Sequence, residues 1–296
     1  MSCLRQQGLD VSALADQKVV IAGAGSAGLG VAAALRDGMV AESNGALTPE
    51  AAAAQFYVCD VNGLLSADGC ESAEWAGLTD EAKEFSQPAG GPGSGLGLAR
   101  GATMLETIKA VKPSILIGVS TVGGLFTEDV VRALGDGCER PILMPLSNPS
   151  SHAECTPADA YRWTGGRAIV ATGSPFDPVE LDGKTLIPSQ CNNMFIFPGL
   201  GLGASLAQAE TVSDGMLHAA AAACAASVNP AEMAQGCVFP DVSRIRTVSA
   251  EVAIAVIEAA LEEGIATNTH YEGGIPAFVD RKMYFPSYAQ IVKSPY

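Results

Sequence analysis

The sequence is poor in positive charge and lacks any long uninterrupted apolar run. Its 296 residues carry 17 Lys and Arg against 32 Asp and Glu, which gives a formal net charge of −15. Binding to nucleic acid or to an anionic membrane surface needs a basic face, so we expect neither as a partner. No apolar run reaches the ~18 residues of a membrane span. The first residues form neither an apolar signal core nor an arginine-rich transit pattern. We therefore expect a cytoplasmic protein, with an organelle as the alternative.

The sequence also lacks the spacings of metal sites and of common catalytic constellations. Its eight cysteines form no C-x-x-C pair and are expected to be reduced and mostly buried. The three histidines, His152, His218 and His270, are isolated from one another. Ser-His-Asp spacing, a nucleophile elbow and His-Glu-x-x-His are all missing. We therefore expect neither a catalytic residue nor a metal ligand within this sequence.

What the sequence does contain is an alternation of apolar strands and helices. Strands are predicted at 18–22, 55–60, 114–119, 141–146 and 167–171, and helices at 26–38, 48–54, 103–111, 127–134, 156–163, 200–209, 213–226 and 248–263. Such alternation, with fully apolar strands, is typical of an α/β fold in which helices cover both faces of a mostly parallel, doubly wound, Rossmann-like sheet. Residues 61–101 are glycine-rich without clear periodicity, and 87–95 is predicted to be a mobile surface loop.

A glycine turn joins the first strand to the first long helix. Val19–Ala22 runs directly into Gly23-x-Gly25-x-x-Gly28, and a helix-forming stretch follows. In a dinucleotide-binding fold the first glycine makes the turn and the second admits the pyrophosphate. The third allows close packing, while the helix N-terminus attracts the anion. Placed between a strand and a helix, the motif predicts a dinucleotide site.

Polar residues follow the other predicted strands, where an open parallel sheet binds its ligands. Asp60 ends the second strand and could accept from the adenosine ribose, although its distance of about 35 residues from the glycine turn exceeds the usual ~20. Small residues follow the third strand at 118–124. Asn148 follows the fourth, where its amide suits a nicotinamide carboxamide or a substrate carboxylate, although Asn-Pro is also a common turn initiator. The pair Asn192-Asn193 is either a capping turn or a ligand-facing pair.

Several segments together resemble the C-terminal, NAD(P)-binding domain of malic enzymes. The resemblance extends from about Ala15 to Gly264 and depends on runs at 23–30, 60–65, 112–119, 126–127, 145–149, 153–157, 171–176 and 190–199. Cys191 departs from the family pattern, which usually has glycine there. We therefore interpret residues 1–296 as a single domain of this type, with its core at about 15–264 and an irregular, aromatic tail at 265–296.

The resemblance implies a set of ligand-binding residues. Those expected to bind the cofactor are Gly23, Gly25, Ser26, Ala27, Gly28, Asp60, Val61, Lys83, Val119, Ser120, Thr121, Ser147, Asn148 and Asn193, and those expected to bind substrate are Asn148, Asn192 and Asn193. Lys83 corresponds to a position where NADP-using members carry lysine. It favours NADP over NAD, although no cation follows Asp60.

The family activity implied is the oxidative decarboxylation of L-malate to pyruvate and CO2, with NAD(P)+ and Mg2+ or Mn2+, in dimers or tetramers. In this family the lysine base, the tyrosine acid and the metal ligands lie upstream of the glycine turn, where this sequence has only about 20 residues. The N-terminal catalytic and metal-binding domain is thus expected to be absent, and the chain alone to be inactive on malate. A malolactic-type enzyme and a non-catalytic nucleotide-binding or assembly module are the alternatives.

Overall fold

The computed structural model describes residues 1–67, 77–87, 96–98 and 101–285. They belong to two compact units, of which the first comprises Met1–Asn192 with Val228–Pro240 and the second comprises Asn193–Ser227 with Asp241–Tyr296. The interpretation of the chain as one domain stays a prediction. Most of the predicted loop over 87–95, and Tyr288 of the predicted tail, lie outside the described residues.

A mostly parallel sheet forms the centre of the first unit. In the described part of the chain its seven strands are β1 (Val19–Ala22), β2 (Phe56–Asp60), β3 (Gly63–Leu64), β4 (Ile115–Gly118), β5 (Ile142–Pro145), β6 (Ile169–Thr172) and β9 (Ser189–Gln190). Their spatial order is β3-β2-β1-β4-β5-β6-β9. All neighbours pair in parallel except β3, which is antiparallel to β2. β7 (Val179–Leu181) and β8 (Lys184–Leu186) form a separate antiparallel hairpin.

Helices cover both faces of this sheet, as the continuous apolar strands predict. Successive strand residues alternate between two hydrophobic clusters, with Val19 and Ile21 in one and Val20 and Ala22 in the other. The helices of the first unit are α1 (Ser2–Gln7), α2 (Ser26–Glu42), α3 (Pro49–Ala53), α4 (Asp80–Glu84), α5 (Met104–Val111), α6 (Glu128–Gly137), α7 (Pro157–Thr164) and α10 (Pro230–Ala234). Short 3-10 turns lie at Val11–Asp16 and Ser150–His152. The doubly wound, Rossmann-like fold predicted from the sequence is confirmed.

The second unit is helical in its described part. It contains α8 (Phe197–Ala207), α9 (Asp214–Ala226), α11 (Ile245–Glu262) and α12 (Ile275–Lys282), with 3-10 turns at Asn193–Phe195 and Val242–Arg244. Helix α11 packs against both α8 and α9. The expectation of an irregular tail is wrong at 275–282, where α12 forms. This helix buries one apolar side chain, Val279, completely, and a single buried position produces no periodic pattern in the sequence.

None of the helices in the described ranges is both long and apolar enough to cross a membrane. The seven cysteines that the structure describes form no disulfide, and four of them, Cys3, Cys59, Cys155 and Cys224, are buried.

Candidate functional site

The carboxyl ends of the parallel strands share one edge of the sheet, and the predicted site residues that follow β1, β2, β4 and β5 lie along this edge. The order along this edge is β2, β1, β4, β5, β6 and β9. Ala22 of β1 is in register with Cys59 of β2 and with Gly118 of β4, and Gly118 is in register with Pro145 of β5. The chain leaves β1 to one side for β2 and returns on the other side as β4. Ligands of open α/β sheets bind where the strand order reverses in this way, between β1 and β4.

The glycine turn after β1 is packed too tightly for side chains at two of its glycines. Gly23 has φ +116°, and a Cβ built on it would lie 2.7 Å from the Val119 carbonyl oxygen beyond β4. A Cβ on Gly28 would lie 1.9 Å from the Gly23 carbonyl oxygen. The first and third glycines therefore let the start of α2 close against the turn and against the end of β4.

The second glycine of the motif leaves open space. A Cβ on Gly25 would meet no atom within 4 Å. Gly25, Ser26 and Ala27 are exposed at the start of the 17-residue helix α2, and no side chain in the described part of the chain caps its N-terminus. The first N–H groups of a helix lack intrahelical acceptors and carry the positive end of its dipole. This open start of α2 therefore fits a pyrophosphate.

Asp60 lies one strand away from the turn, as the last residue of β2. Its side chain is exposed at the sheet edge, and the following Val61 is 90% exposed. Lys83 lies elsewhere, in the short helix α4, and its Nζ is 3.4 Å from the Asp80 carboxylate. The predicted ribose carboxylate therefore stands at the expected edge, whereas the predicted phosphate-binding lysine pairs within its own helix.

The segment after β4 lies on the opposite side of the crevice. Val119 touches the glycine turn, and Thr121 adopts a left-handed conformation with φ +60°. Non-glycine residues rarely adopt this conformation, and they do so where the surroundings compel it. Here Thr121 N donates to the hydroxyl of Ser147, which in turn donates to a buried carboxylate, Glu154.

Glu154 has 0% of its surface exposed, and sequence analysis assigned it no role. Its Oε1 accepts hydrogen bonds from Ser120 N at 2.9 Å, from Ser120 Oγ at 2.8 Å and from Ser147 Oγ at 2.5 Å. Its side chain passes so close to Gly118 that a Cβ there would lie 2.4 Å from Glu154 Cδ. Glu154 lies in one of the runs that resemble malic enzymes, but only the folded chain shows what its carboxylate contacts.

Ser147 and Asn148, both predicted ligand residues, follow β5 but differ in exposure. Ser147 is 5% exposed, and its hydroxyl proton is donated to Glu154. Asn148 is exposed, and its peptide bond to Pro149 is cis. The amide of Asn148 donates to the Leu146 carbonyl and accepts from Ser174 Oγ. An amide has two N–H donors and two acceptor lone pairs, so one of each remains available to a ligand.

The two adjacent asparagines belong to different compact units. Asn192 ends the first segment of the first unit, just beyond β9, whereas Asn193 is exposed and opens the 3-10 turn Asn193–Phe195 of the second unit. The assignment of both residues to the ligand site stays a prediction.

The titratable groups near the carboxyl ends of the strands give little support for acid–base or nucleophilic chemistry. Burial, reinforced by the negative charges of Asp159 and Glu154, raises the pKa of the Cys155 thiol to about 12. Burial likewise raises the pKa of Cys59, next to Asp60, to about 11. Protonated, buried thiols are poor nucleophiles. In the part of the chain that the structure describes, no group of three His, Cys, Asp or Glu side chains could hold a metal ion.

A sheet that is doubly wound, with an open glycine turn at its switch point and a carboxylate on the neighbouring strand, defines the class of dinucleotide-binding α/β proteins. Comparison with known proteins identifies the family. Residues 2–261 match the model of the malic enzyme NAD-binding domain, and the chain belongs to this family.

Several of the similar proteins carry malic enzyme names. The chain is 40% identical to NAD-dependent malic enzyme 3 of Bacillus subtilis (strain 168), over 94% of this chain and 47% of the relative. It is 38% identical to the NADP-dependent malic enzyme of Dictyostelium discoideum, over 92% of this chain and 47% of the relative. The crystal structure of malic enzyme from Pyrococcus horikoshii Ot3 has the same fold, with a TM-score of 0.66 at 23% identity, over 95% of this chain and 55% of that one. The chain thus spans about half the length of the relatives it matches.

Proposed function

We propose that this chain binds NAD as the nucleotide-binding part of an enzyme that oxidises and decarboxylates malate. The observation that carries the proposal is the open, uncapped start of α2, where Gly25 leaves space and Gly25, Ser26 and Ala27 are exposed. Family membership supports the same activity, and so do the names of the relatives.

The order of residues along the sheet edge matches the order of groups in a dinucleotide. Asp60 on β2 would accept from the adenosine ribose, the turn after β1 would bind the diphosphate, and Asn148 after β5 would meet the nicotinamide end. Adjacent strands lie ~4.8 Å apart, so β2 and β5 are separated by about 14 Å. An extended ligand crossing three strand spacings would contact all of these residues.

The preference for NAD over NADP rests on the charge at the end of β2. The exposed Asp60 carboxylate accepts hydrogen bonds from a 2′-hydroxyl but repels a 2′-phosphate. Lys83, the residue that favoured NADP in the sequence, pairs with Asp80 in α4. Among the relatives, NAD-dependent and NADP-dependent names both occur.

In the complete enzyme, bound NAD+ would supply the hydride acceptor for the oxidation of malate. This chain's contribution would be to orient the nicotinamide and the substrate through the amides of Asn148, Asn192 and Asn193. The Mg2+ or Mn2+ ligands and the acid–base groups would come from residues outside this sequence. The dimeric or tetrameric assembly and the cytoplasmic compartment remain predictions.

Titration of the 296-residue chain with NADH and with NADPH, followed by the fluorescence of the reduced nicotinamide, tests the proposal. We expect NADH to bind at least tenfold more tightly than NADPH. Asp60→Asn should reduce this ratio by about tenfold, because it removes the charge that strengthens the ribose hydrogen bonds and repels the 2′-phosphate. Malate, NAD+ and Mn2+ added together should produce no rise in NADH absorbance.

The control for the lost charge is Asp182→Asn, in the hairpin turn between β7 and β8, where Asp182 has φ +50°. It changes the net charge equally and should leave both dissociation constants unchanged. Failure of both dinucleotides to saturate would overturn the proposal. Tighter binding of NADPH that Lys83→Ala weakens would restore NADP as the cofactor, and sustained turnover of malate would show that the chain is catalytically complete.

A further inference from the structure

A single buried carboxylate anchors three consecutive backbone amides on the β4 side of the crevice. Ser120 N donates directly to Glu154 Oε1. Thr121 N donates to Ser147 Oγ at 2.9 Å, and Val122 N donates to Ser120 Oγ at 3.1 Å. Both serine hydroxyls in turn donate to Glu154 Oε1. Each of the three amides therefore reaches Glu154 directly or through one hydroxyl.

The direction of these hydrogen bonds requires an acceptor at their centre. A serine hydroxyl has one proton, and the protons of Ser120 and Ser147 both point at Glu154, so their oxygens can accept from the backbone. An ionised carboxylate only accepts, and hydrogen bonds to it are shorter and stronger than those between neutral groups. No cationic side chain of the described residues pairs with Glu154, so these donors and the more distant Ser147 N, at 3.4 Å, solvate its charge.

The anchored segment is also the one that meets the glycine turn. Val119 immediately precedes it, and a Cβ built on Gly23 would lie only 2.7 Å from the Val119 carbonyl oxygen. Gly118 leaves the space through which the Glu154 side chain reaches the segment. The left-handed conformation of Thr121 is strained for a residue other than glycine, so it needs support from outside the segment. Glu154 provides that support.

We propose that Glu154 is a positioning residue, whose carboxylate holds residues 120–122 in the conformation that forms the β4 wall of the dinucleotide site, without touching the dinucleotide itself. This inference rests on the proposed nucleotide-binding function. It also gives Ser147, which sequence analysis placed among the cofactor-binding residues, a defined part as the link between Glu154 and Thr121.

The first test compares NADH affinity in Glu154→Gln with that in Glu106→Gln, at a temperature where all variants are folded. Glutamine has the shape of glutamate but presents a neutral oxygen and an N–H2 group. If only about one molecule in ten of this variant keeps residues 120–122 in the conformation that binds NADH, its NADH affinity will be about tenfold lower. Glu106, which accepts from the backbone N and the hydroxyl of Thr103 in the capping box of α5, is the matched control. Its variant should lose some thermal stability and no affinity.

The second test is hydrogen exchange of residues 119–123 in the cofactor-free protein. Glu154→Gln should lose protection of the three amides, and Glu106→Gln should keep it. A merely structural role would lower the melting temperature and leave both the dissociation constant of the folded protein and this local protection unchanged. Ser147→Ala keeps the Glu154 carboxylate and should remove protection from the Thr121 amide alone. This variant replaces Glu154→Gln in the test if Glu154→Gln does not fold.

The two proposals can fail separately. If the parent chain binds NADH and Glu154→Gln binds it equally well, the positioning role is overturned and the nucleotide site stands. If the parent chain binds no dinucleotide, the proposed function falls. Preserved protection in Glu154→Gln, or in Ser147→Ala when that variant is used, overturns the role of Glu154 in either case.

Discussion

At the level of single residues, the three glycines of the turn have different tasks that substitution can separate. Gly28→Ala would place a methyl group 1.9 Å from the Gly23 carbonyl oxygen, so the turn would have to move. We expect a loss of about 1–3 kcal/mol in the free energy of unfolding, as for other overpacked sites, together with loss of NADH binding. Urea unfolding followed by circular dichroism, and NADH titration of the folded protein, measure the two effects.

Gly30→Ala, two residues further along the same helix, is the matched control. A Cβ on Gly30 would meet no atom within 4 Å, and the residue is exposed. Alanine in a helix interior is favoured over glycine by about 0.5–1 kcal/mol, so this variant should be slightly more stable and bind NADH normally. Equal behaviour of the two variants would contradict the packing explanation.

The sequence was sufficient to predict which residues follow which strand, but not their partners. Spacing alone placed Gly23 and Gly28 in a tight turn and Asp60 at a strand end. It could not show that Ser174 holds the Asn148 amide, because these residues are 26 positions apart. The same holds for Glu154 and Ser120, which are 34 positions apart and meet only when β4 and β5 pair. Contacts of this kind leave no periodic pattern.

Among the helices, the close approach of α8 to α11 offers a second matched pair of glycines. A Cβ on Gly203 would lie 2.7 Å from the Ala253 carbonyl oxygen and 2.8 Å from Val256 Cβ, whereas one on Gly201 would meet nothing within 4 Å. Gly203→Ala should force the two helices apart and lower the free energy of unfolding of the second unit by about 1–3 kcal/mol. Gly201→Ala should raise it by about 0.5–1 kcal/mol. Chemical unfolding that showed the same change for both would rule out close helix packing at Gly203.

The elements predicted best are those with a cap and a periodic apolar face. The helix expected at 103–111 is observed at Met104–Val111, where Thr103 and Glu106 form a capping box. The helix expected at 26–38 continues to Glu42, because neither proline nor a left-handed residue stops it at Gly38. The hairpin of β7 and β8 was missed, since strands of three residues are too short for an alternation of apolar and polar residues to be recognised, and none of the six residues is buried. The short helix α4 was missed within the aperiodic stretch 61–101.

For the molecule as a whole, the buried thiols report on the integrity of the fold. Burial raises the pKa values of Cys3, Cys59 and Cys224 to about 11 and that of Cys155 to about 12, so these thiols stay protonated in the native protein. We expect them to react with a thiol reagent at pH 8 only after unfolding in guanidinium.

Raised pKa values stabilise the native state fully below the unfolded thiol pKa, near 9, and this contribution is lost as the pH rises through 11–12. The melting temperature should therefore fall above about pH 9. Rapid reaction of all eight thiols in the native protein, or a melting temperature constant to pH 11, would contradict the burial of these four.

The amino-acid order alone predicted the α/β class, because apolar periodicity and the glycine motif are local properties of the chain. The resemblance to malic enzymes likewise depended on short runs of sequence. The antiparallel edge strand β3, the open start of α2 and the anchoring of residues 120–122 by Glu154 emerged only from the folded chain. These features depend on which distant segments become neighbours. Close packing of backbone against backbone at Gly23 and Gly28, and of the Glu154 side chain against Gly118, sets those contacts.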